Sequence, residues 1–313
     1  MRKSGGWRVK LVSYNIQYGY GGDGRYDLAR AARVIADADI IALQEVERFW
    51  KRSNGDDQPE ILGRLLCDRY WVYGPAFDMD ASARGEDGCV VNRRRQFGTM
   101  LMSRLPIEWS RLHTLPMRRT VTPLNTRNAA LECLIRTPCG PIRFFSIHLA
   151  HIAVEERLEE IDDLLDRHRR VPIEGGPWSG VDDEPSRDWT NGESEPESPP
   201  AAIWMGDFNC EPGSAEYRRI TGDNPYHSGA GYFGGFSDAA ALAGHRPGDL
   251  HTHVKMIDGA TRRRQLDHCF VGSMLAPRVR SVQVDNDEIA SDHHPLFIDI
   301  DLETPGGAPD AAA

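Results

Sequence analysis

Short apolar runs recur along the whole chain, and several of them end at a carboxylate, an amide or an imidazole. The continuous apolar run from Ile40 to Leu43, just before Glu45, is typical of a strand buried on both faces. A charged side chain at such a place must lie at the mouth of a sheet or be paired. The polar strand ends stand in four motifs: Tyr14-Asn15-Ile16, Leu43-Gln44-Glu45-Val46, Gly206-Asp207-Phe208-Asn209 and Ser291-Asp292-His293-His294-Pro295.

Segments with helical spacing separate the predicted strands in the N-terminal half, which indicates an α/β fold. Strands are predicted at residues 7–16, 39–46, 98–103, 129–136, 141–148, 202–208, 265–271, 279–284 and 295–302, and helices at 26–38, 59–70 and 154–168. This pattern is compatible with two packed sheets, and it does not exclude a single doubly wound sheet.

The polar strand ends fit the chemistry of metal-assisted phosphate-ester hydrolysis. Carboxylate and amide oxygens, such as those of Glu45 and Asn15, suit a hard cation such as Mg²⁺. Asp207 and Asn209 are two residues apart, so an extended backbone turns both side chains to the same side. There a carboxylate can orient and deprotonate a water, and an amide can donate a hydrogen bond to a phosphoryl oxygen. An imidazole such as that of His293 can transfer protons near neutral pH.

The ordered set of motifs, together with Ser146-Ile147-His148-Leu149 and Gln265-Leu266-Asp267-His268, resembles the endonuclease/exonuclease/phosphatase superfamily from about Val9 to about Ile300. This is the deoxyribonuclease I-like group of metal-dependent phosphohydrolases. The resemblance implies a four-layer α/β sandwich, in which two packed mixed β-sheets carry helices on their outer faces. It also implies a single catalytic domain over residues 1–303. Residues 304–313, rich in Gly, Pro and Ala, are predicted to be a disordered tail.

The resemblance also implies a role for each motif residue. The implied metal ligands are Asn15, Glu45 and Asp292; the implied catalytic residues are His148, Asp207, Asn209, Asp267 and His293; the implied substrate-binding residues are Arg127, Asn209 and His148. The ion would be Mg²⁺, with Mn²⁺ as a substitute. Asp267 would fix the tautomer of His293 through its second ring nitrogen. The sequence leaves open whether Asp207 or the Asp267–His293 pair is the general base.

Departures from the superfamily pattern narrow the choice of subfamily. Thr99 stands where relatives often have asparagine. Val46-Glu47 after the Gln-Glu pair is closer to phosphodiesterase, sphingomyelinase and deadenylase relatives than to abasic-site endonucleases. The Trp-Cys-Asp-Arg run of inositol 5-phosphatases is absent. A zinc site at His251 and His253 is disfavoured because Cys or further His are missing at suitable spacing.

The formal net charge of the 313-residue chain is −10, and most of it falls in one segment. Residues 172–200 carry eight acidic side chains and one arginine, which gives −7 and leaves −3 for the rest. The segment is rich in Pro, Gly and Ser, so we expect a flexible insertion. It directly precedes the strand that carries Asp207, and two interpretations stay open: a segment at the rim of the site, or a solvated surface loop. Three arginine clusters, at 93–95, 118–119 and 262–264, are either solvated loops or groups that steer an anionic substrate.

The chain is expected to be cytoplasmic. No apolar run approaches the ~18 residues of a membrane-spanning helix, and residues 1–7 lack the apolar core of a signal peptide. The six cysteines form no Cys-x-x-Cys pair and are predicted to be reduced thiols.

The predicted function is Mg²⁺-dependent hydrolysis of a phosphate ester by in-line attack of an activated water. The substrate would be a nucleic acid, a lipid head group or a small molecule, and no obligate protein partner is implied. The alternatives are a DNA or RNA nuclease of the same superfamily, a sphingomyelinase-like lipid phosphodiesterase, and a non-catalytic binding module on the same fold.

Overall fold

The structure, a computed structural model, describes residues 8–184, 186–223, 232 and 234–302. Its strands in these ranges are β1 (Arg8–Asn15), β2 (Ile40–Arg48), β3 (Tyr70–Asp80), β4 (Ala83–Arg84), β5 (Val90–Val91), β6 (Arg94–Ser103), β7 (Ile107–Thr114), β8 (Ala129–Thr137), β9 (Gly140–His148), β10 (Ala202–Asp207), β11 (Phe236–Asp238), β12 (His253–Ile257), β13 (Ala260–Arg264), β14 (Asp267–Gly272), β15 (Val279–Val284) and β16 (Leu296–Asp301). The α-helices are α1 (Leu28–Ile35), α2 (Gln58–Leu65), α3 (Val154–Glu174), α4 (Ala215–Thr221) and α5 (Ala239–Leu242).

Two six-stranded mixed sheets make up the body of the protein. The first has the strand order β15-β16-β1-β2-β6-β3, and the second has the order β11-β14-β10-β9-β8-β7. In each sheet one central pair is parallel, β1 with β2 and β9 with β10, and its other neighbouring strands are antiparallel. Two separate sheets rule out the doubly wound alternative. Two-stranded ribbons, β4–β5 and β12–β13, project from this body.

The two sheets pack face to face around a central core. Val9 of β1 lies in this core with Phe144 of β9 and Met205 of β10. Because side chains alternate along a strand, Val12 instead packs towards α1 and α2, and Trp204 packs towards α3 and α4. Fully burying a side chain such as Phe144 contributes about 1.5–3 kcal/mol. The order helix, sheet, sheet, helix confirms the predicted four-layer sandwich.

The predicted helices and strands are present, but several ends differ. Helix α1 begins at Leu28 rather than at residue 26, because the Asp27 carboxylate caps it and accepts a hydrogen bond from the Arg30 amide at 3.0 Å. Helix α3 continues past its predicted end at 168 to Glu174. The elements that were not predicted are β3, β4, β5, β7, β11, β12 and β13 and the helices α4 and α5. Much of β3 is half-exposed without regular alternation, so its sequence has no clear period of two.

The acidic segment 172–200 lies away from the end of β10 that carries Asp207, so the rim interpretation is wrong. It begins inside α3 and leads into Ala202, whereas Asp207 stands at the opposite end of β10. Hydrogen bonds tie it to the second sheet: Trp109 Nε1 donates to the carbonyl of Glu197 at 3.0 Å, and Arg143 Nε donates to that of Pro199 at 2.7 Å. Its flexibility stays a prediction, and the predicted tail, 304–313, lies outside the described residues.

All six cysteines are free thiols, as predicted. None of the helices described is both long and apolar enough to span a bilayer.

Candidate active site

The polar strand ends meet at one edge of the two sheets. Phe144 and Met205 face the central core, and His148 and Asp207 follow them at even spacing, so they lie on the same inner face. His148 and Asp207 are register partners of the parallel pair β9–β10. Asp267, at the start of antiparallel β14, is the register partner of Asp207 on its other side. Strand pairing alone therefore places three functional groups side by side.

Glu45 reaches this edge through an irregularity in β2. It follows Leu43 by two residues, and Leu43 packs outward against the helices, so a regular strand would turn Glu45 away from the site. The register of β2 with β6 shifts between Leu43 and Val46, and the backbone of Glu45 has a φ of 58°. Non-glycine residues rarely adopt this left-handed conformation, which often marks functional sites.

The amide of Asn15 holds two carboxylates together. Its Nδ2 donates to Glu45 Oε1 at 3.1 Å and to Asp207 Oδ2 at 3.0 Å. Its Oδ1 accepts a hydrogen bond from the backbone amide of Gln17 at 3.0 Å. The amide nitrogen thus faces the two carboxylates and orients Glu45 and Asp207. The predicted role of the amide oxygen of Asn15 at the metal stays a prediction.

Asp207 is buried between two imidazoles. His148 Nε2 lies 3.7 Å and His293 Nε2 lies 3.6 Å from Asp207 Oδ2. Burial acts to raise the pKa of Asp207, but the charges of His293 and His148 outweigh it and lower that pKa. The carboxylate is therefore anionic at neutral pH, as a group that accepts a proton from water must be.

His293 is held by Asp267 on its other ring nitrogen, at 2.7 Å between Nδ1 and Oδ2. Burial opposes the imidazolium, but Asp267 and Asp207 more than offset it and raise the pKa of His293 to about 10. The second oxygen of Asp267, Oδ1, is buried without a hydrogen-bond partner. Ligand atoms of Asp207, Asp267 and His293 lie within 4.8 Å of one another, but the protonated His293 ring has no free lone pair, so only the two carboxylates could bind a cation in that state.

Two further carboxylates, Glu45 and Asp292, are half-buried in the same cleft. Neither forms an ion pair with a lysine or arginine among the described residues; the imidazole nitrogens beside them are His148 Nε2, 4.0 Å from Glu45, and His253 Nε2, 3.9 Å from Asp292. Carboxylates gathered without basic partners fit a hard divalent cation, which takes oxygen ligands.

The cleft has a volume of about 570 Å³. Asn209 lines it with a left-handed backbone, φ 49°, that lets its amide N–H donate to Asp207 Oδ1 at 2.9 Å. Its side-chain Nδ2 donates to the carbonyl of Leu149 at 2.9 Å. Arg127 does not line the cleft. It is exposed, and its guanidinium donates to the carbonyl of Leu115 at 3.0 Å.

The hairpin β12–β13 contributes Lys255 and Arg264 to one side of the cleft, and these two residues form the basic wall. The sequence pattern indicated only part of it. His253 pairs with Arg264 and Lys255 pairs with Arg262, so the second pair places two like charges opposite each other. Lys255 and Arg264 line the cleft, and neither forms an ion pair with a described carboxylate. Burial, followed by the charges of His293 and Arg264, lowers the pKa of His253 to about 3, so its ring is neutral. The arginine cluster at 262–264 indicated Arg264, whereas His253 was considered only as a zinc ligand.

The sequence matches the profile of the Endonuclease/Exonuclease/phosphatase family over residues 12–293. No curated protein matches it. Among solved structures, an endonuclease/exonuclease/phosphatase family protein from Leptotrichia buccalis is similar with a TM-score of 0.62 and 20% identity, over 93% of this chain and 99% of that chain.

Two further structures share the fold. The mannosyl-6-phosphatase of Bacteroides thetaiotaomicron has a TM-score of 0.58 at 16% identity, over 93% of this chain and 98% of its own. TDP2 from Caenorhabditis elegans has a TM-score of 0.56 at 13% identity, over 94% of this chain and 74% of its own.

Proposed function

The chain belongs to the endonuclease/exonuclease/phosphatase family, whose members hydrolyse phosphate esters, and we propose that it does so with Mg²⁺. The observation that supports the proposal is the position of Asp207 between His148 and His293, beside the carboxylate of Glu45, which has no lysine or arginine partner among the described residues. Anionic Asp207 orients and deprotonates the attacking water. His148 and cationic His293 bind the phosphoryl oxygens, whose charge grows during in-line attack.

Glu45 and Asp292 would hold the metal, and Asn15 fixes the orientation of Glu45. When bound, the cation would polarise the phosphoryl group and offset the negative charge of the site. Mn²⁺, which also accepts carboxylate and water ligands, would substitute. Asn209 stands beside Asp207 and would bind a phosphoryl oxygen.

The test is a hydrolysis panel with Mg²⁺ or Mn²⁺ and with EDTA. It contains bis-p-nitrophenyl phosphate, p-nitrophenyl phosphate, intact and abasic duplex DNA, single-stranded RNA and dispersed sphingomyelin. We expect activity on at least one ester that EDTA abolishes. Hydrolysis that persists in EDTA contradicts the role of the metal. If no ester is hydrolysed and Mg²⁺ does not bind, a non-catalytic binding module is favoured.

A nuclease is the second candidate, and the basic wall favours it. Lys255 and Arg264 have no carboxylate partner within the part of the chain that the structure describes, and they would bind phosphates that flank the scissile one. Nuclease activity would fall steeply as salt rises, because each phosphate contact releases counterions. Activity on sphingomyelin that varies little with salt would favour the lipid phosphodiesterase instead.

A further inference from the structure

One wall of the cleft is built from aromatic rings around a single guanidinium. The rings are those of Tyr18, Trp50, Phe77 and Phe97, and the guanidinium is that of Arg52; together they form the aromatic wall. Arg52 Cζ lies 3.8 Å from the centroid of the Tyr18 ring, 4.8 Å from that of Trp50 and 5.9 Å from that of Phe97. The rings of Trp50 and Phe77 lie 5.6 Å apart. Planar groups from distant parts of the sequence thus cluster in the cleft.

Arg52 is held in place by a buried acid. Glu47 is fully buried, and it accepts hydrogen bonds from Arg52 Nη2 at 2.7 Å and from Nε at 3.0 Å. A guanidinium that is fixed by two hydrogen bonds loses little further conformational freedom when a ligand stacks on it. Its Nη1 donates to no described acceptor, and the side chain is 41% exposed. Arg52 is therefore an oriented and partly solvent-accessible cation, with its Cζ over the Tyr18 ring.

The aromatic wall lies next to the proposed phosphate site. The Phe97 ring centroid is 6.3 Å from that of His148, and His148 is 3.7 Å from Asp207. A ring carried directly on the scissile phosphate, or one sugar away from it, is therefore within reach of the aromatic wall.

We propose that the aromatic wall binds a planar aromatic group of the substrate beside the scissile phosphate. This rests on the proposed function and names its substrate class. Rings and guanidinium planes stack on nucleobases and phenols alike, with little dependence on their hydrogen-bonding edges. An alkyl chain would desolvate the Arg52 cation without a compensating interaction. The wall therefore selects an aromatic ester over an aliphatic one.

Paired ligands separate the two sources of such a ring. Adenosine 5′-monophosphate against ribose 5-phosphate tests a nucleobase, and phenyl phosphate against cyclohexyl phosphate tests a phenol. Dissociation constants are measured by calorimetry with Mg²⁺ on the full chain carrying Asp207→Asn, so that no ligand is consumed. We expect the aromatic member of at least one pair to bind about tenfold more tightly, the effect of one stacked ring.

Two conservative variants test whether the wall causes this preference. Arg52→Lys keeps the charge beside Glu47 but removes the plane, and Phe77→Leu keeps an apolar side chain but removes a ring. Both should reduce the preference to about threefold or less. Arg111→Lys is the control, because Arg111 lies over Trp109 at 5.5 Å and near Glu174 at 3.9 Å, outside the cleft. It should leave the preference unchanged.

Equal affinity within both pairs overturns the inference, and so does a preference that neither wall variant alters. These outcomes are distinct from failure of the proposed function, which is judged by metal-dependent hydrolysis in the wild type. If the wall variants reduce the preference for the aromatic ligand but the wild type hydrolyses no ester, ring binding is upheld and the proposed hydrolysis is contradicted.

Discussion

Asp267 and His293 form a buried pair in which Oδ2 lies 2.7 Å from Nδ1, while the other nitrogen of the same imidazole faces Asp207. Because both neighbours are carboxylates, the ring is held as a cation and in one orientation. We propose that a group so placed binds a phosphoryl oxygen and returns a proton to a leaving group. The pair thus links the second sheet, which carries both aspartates, to the loop before β16.

Replacing Asp267 by asparagine should lower the pKa of His293 from about 10, because the loss of the carboxylate removes the main stabilisation of the imidazolium. In the metal-free protein, NMR of the ring nitrogens should show titration at clearly lower pH than in the wild type. The value of kcat should fall about 10- to 100-fold or more. An unchanged titration in a folded variant would show that Asp267 does not control this imidazole.

Glu45→Gln should weaken Mg²⁺ binding. Loss of a group that only orients a ligand typically costs about 10- to 100-fold in metal affinity, so loss of a ligand should cost at least as much. The measurement is the Mg²⁺ concentration that gives half-maximal activity, supported by calorimetry. Glu86→Gln removes the same charge from an exposed turn and serves as the control. An identical Mg²⁺ dependence in both variants would exclude Glu45 as a ligand.

Lys255→Gln and Arg264→Gln should each raise KM about two- to fivefold for substrates with phosphates beyond the scissile one, the effect of one charge pair that is at least partly exposed. The effect should shrink as salt rises, because exposed charges are screened. Arg119→Gln, an exposed arginine that does not line the cleft, should leave KM unchanged. Equal effects on a substrate with a single phosphate would show that the hairpin does not bind flanking phosphates.

The site could be predicted as far as it follows from local strand patterns. Asp207 and His148 end apolar strands at positions that face the core, and a period of two in the sequence is enough to group them. Glu45 lies on the wrong parity for that argument. Its place depends on a bulge and a left-handed backbone, which no periodicity reveals.

Features built from distant segments could not be predicted. The aromatic wall joins Tyr18 from the turn after β1, Trp50 from the loop after β2 and Phe77 from β3, so it depends on how these segments meet in the fold rather than on any motif. The position of the acidic segment 172–200 likewise depends on the fold and not on its distance along the sequence. Its closeness to Asp207 in sequence suggested closeness in space, but β10 separates them.

The stability of the protein should fall in mild acid because of His168. Its Nδ1 accepts a hydrogen bond from Arg143 Nη2 at 2.8 Å, which requires a neutral ring. Burial, and then the charge of Arg143, lowers the pKa of His168 to about 4. The unfolded chain takes up this proton below about pH 6.5, so the contribution is complete above that pH and is lost as the pH falls towards 4.

Denaturant titrations should give a free energy of unfolding about 1 kcal/mol lower at pH 5.5 than at pH 7 from this residue. His168→Gln keeps an acceptor for Arg143 but does not titrate, so its stability should change less over the same range. A difference between the two pH values that is the same in both proteins would assign the acid sensitivity to other groups.

The most direct test of the central claim is the Mg²⁺-dependent rate of ester hydrolysis by the wild type and by Asp207→Asn. The variant keeps the shape of the side chain and its place beside Asn15, but it removes the anionic group that accepts the proton of water. We expect an active wild type and a folded variant that has lost turnover while still binding Mg²⁺. Wild-type rates in the variant would contradict it.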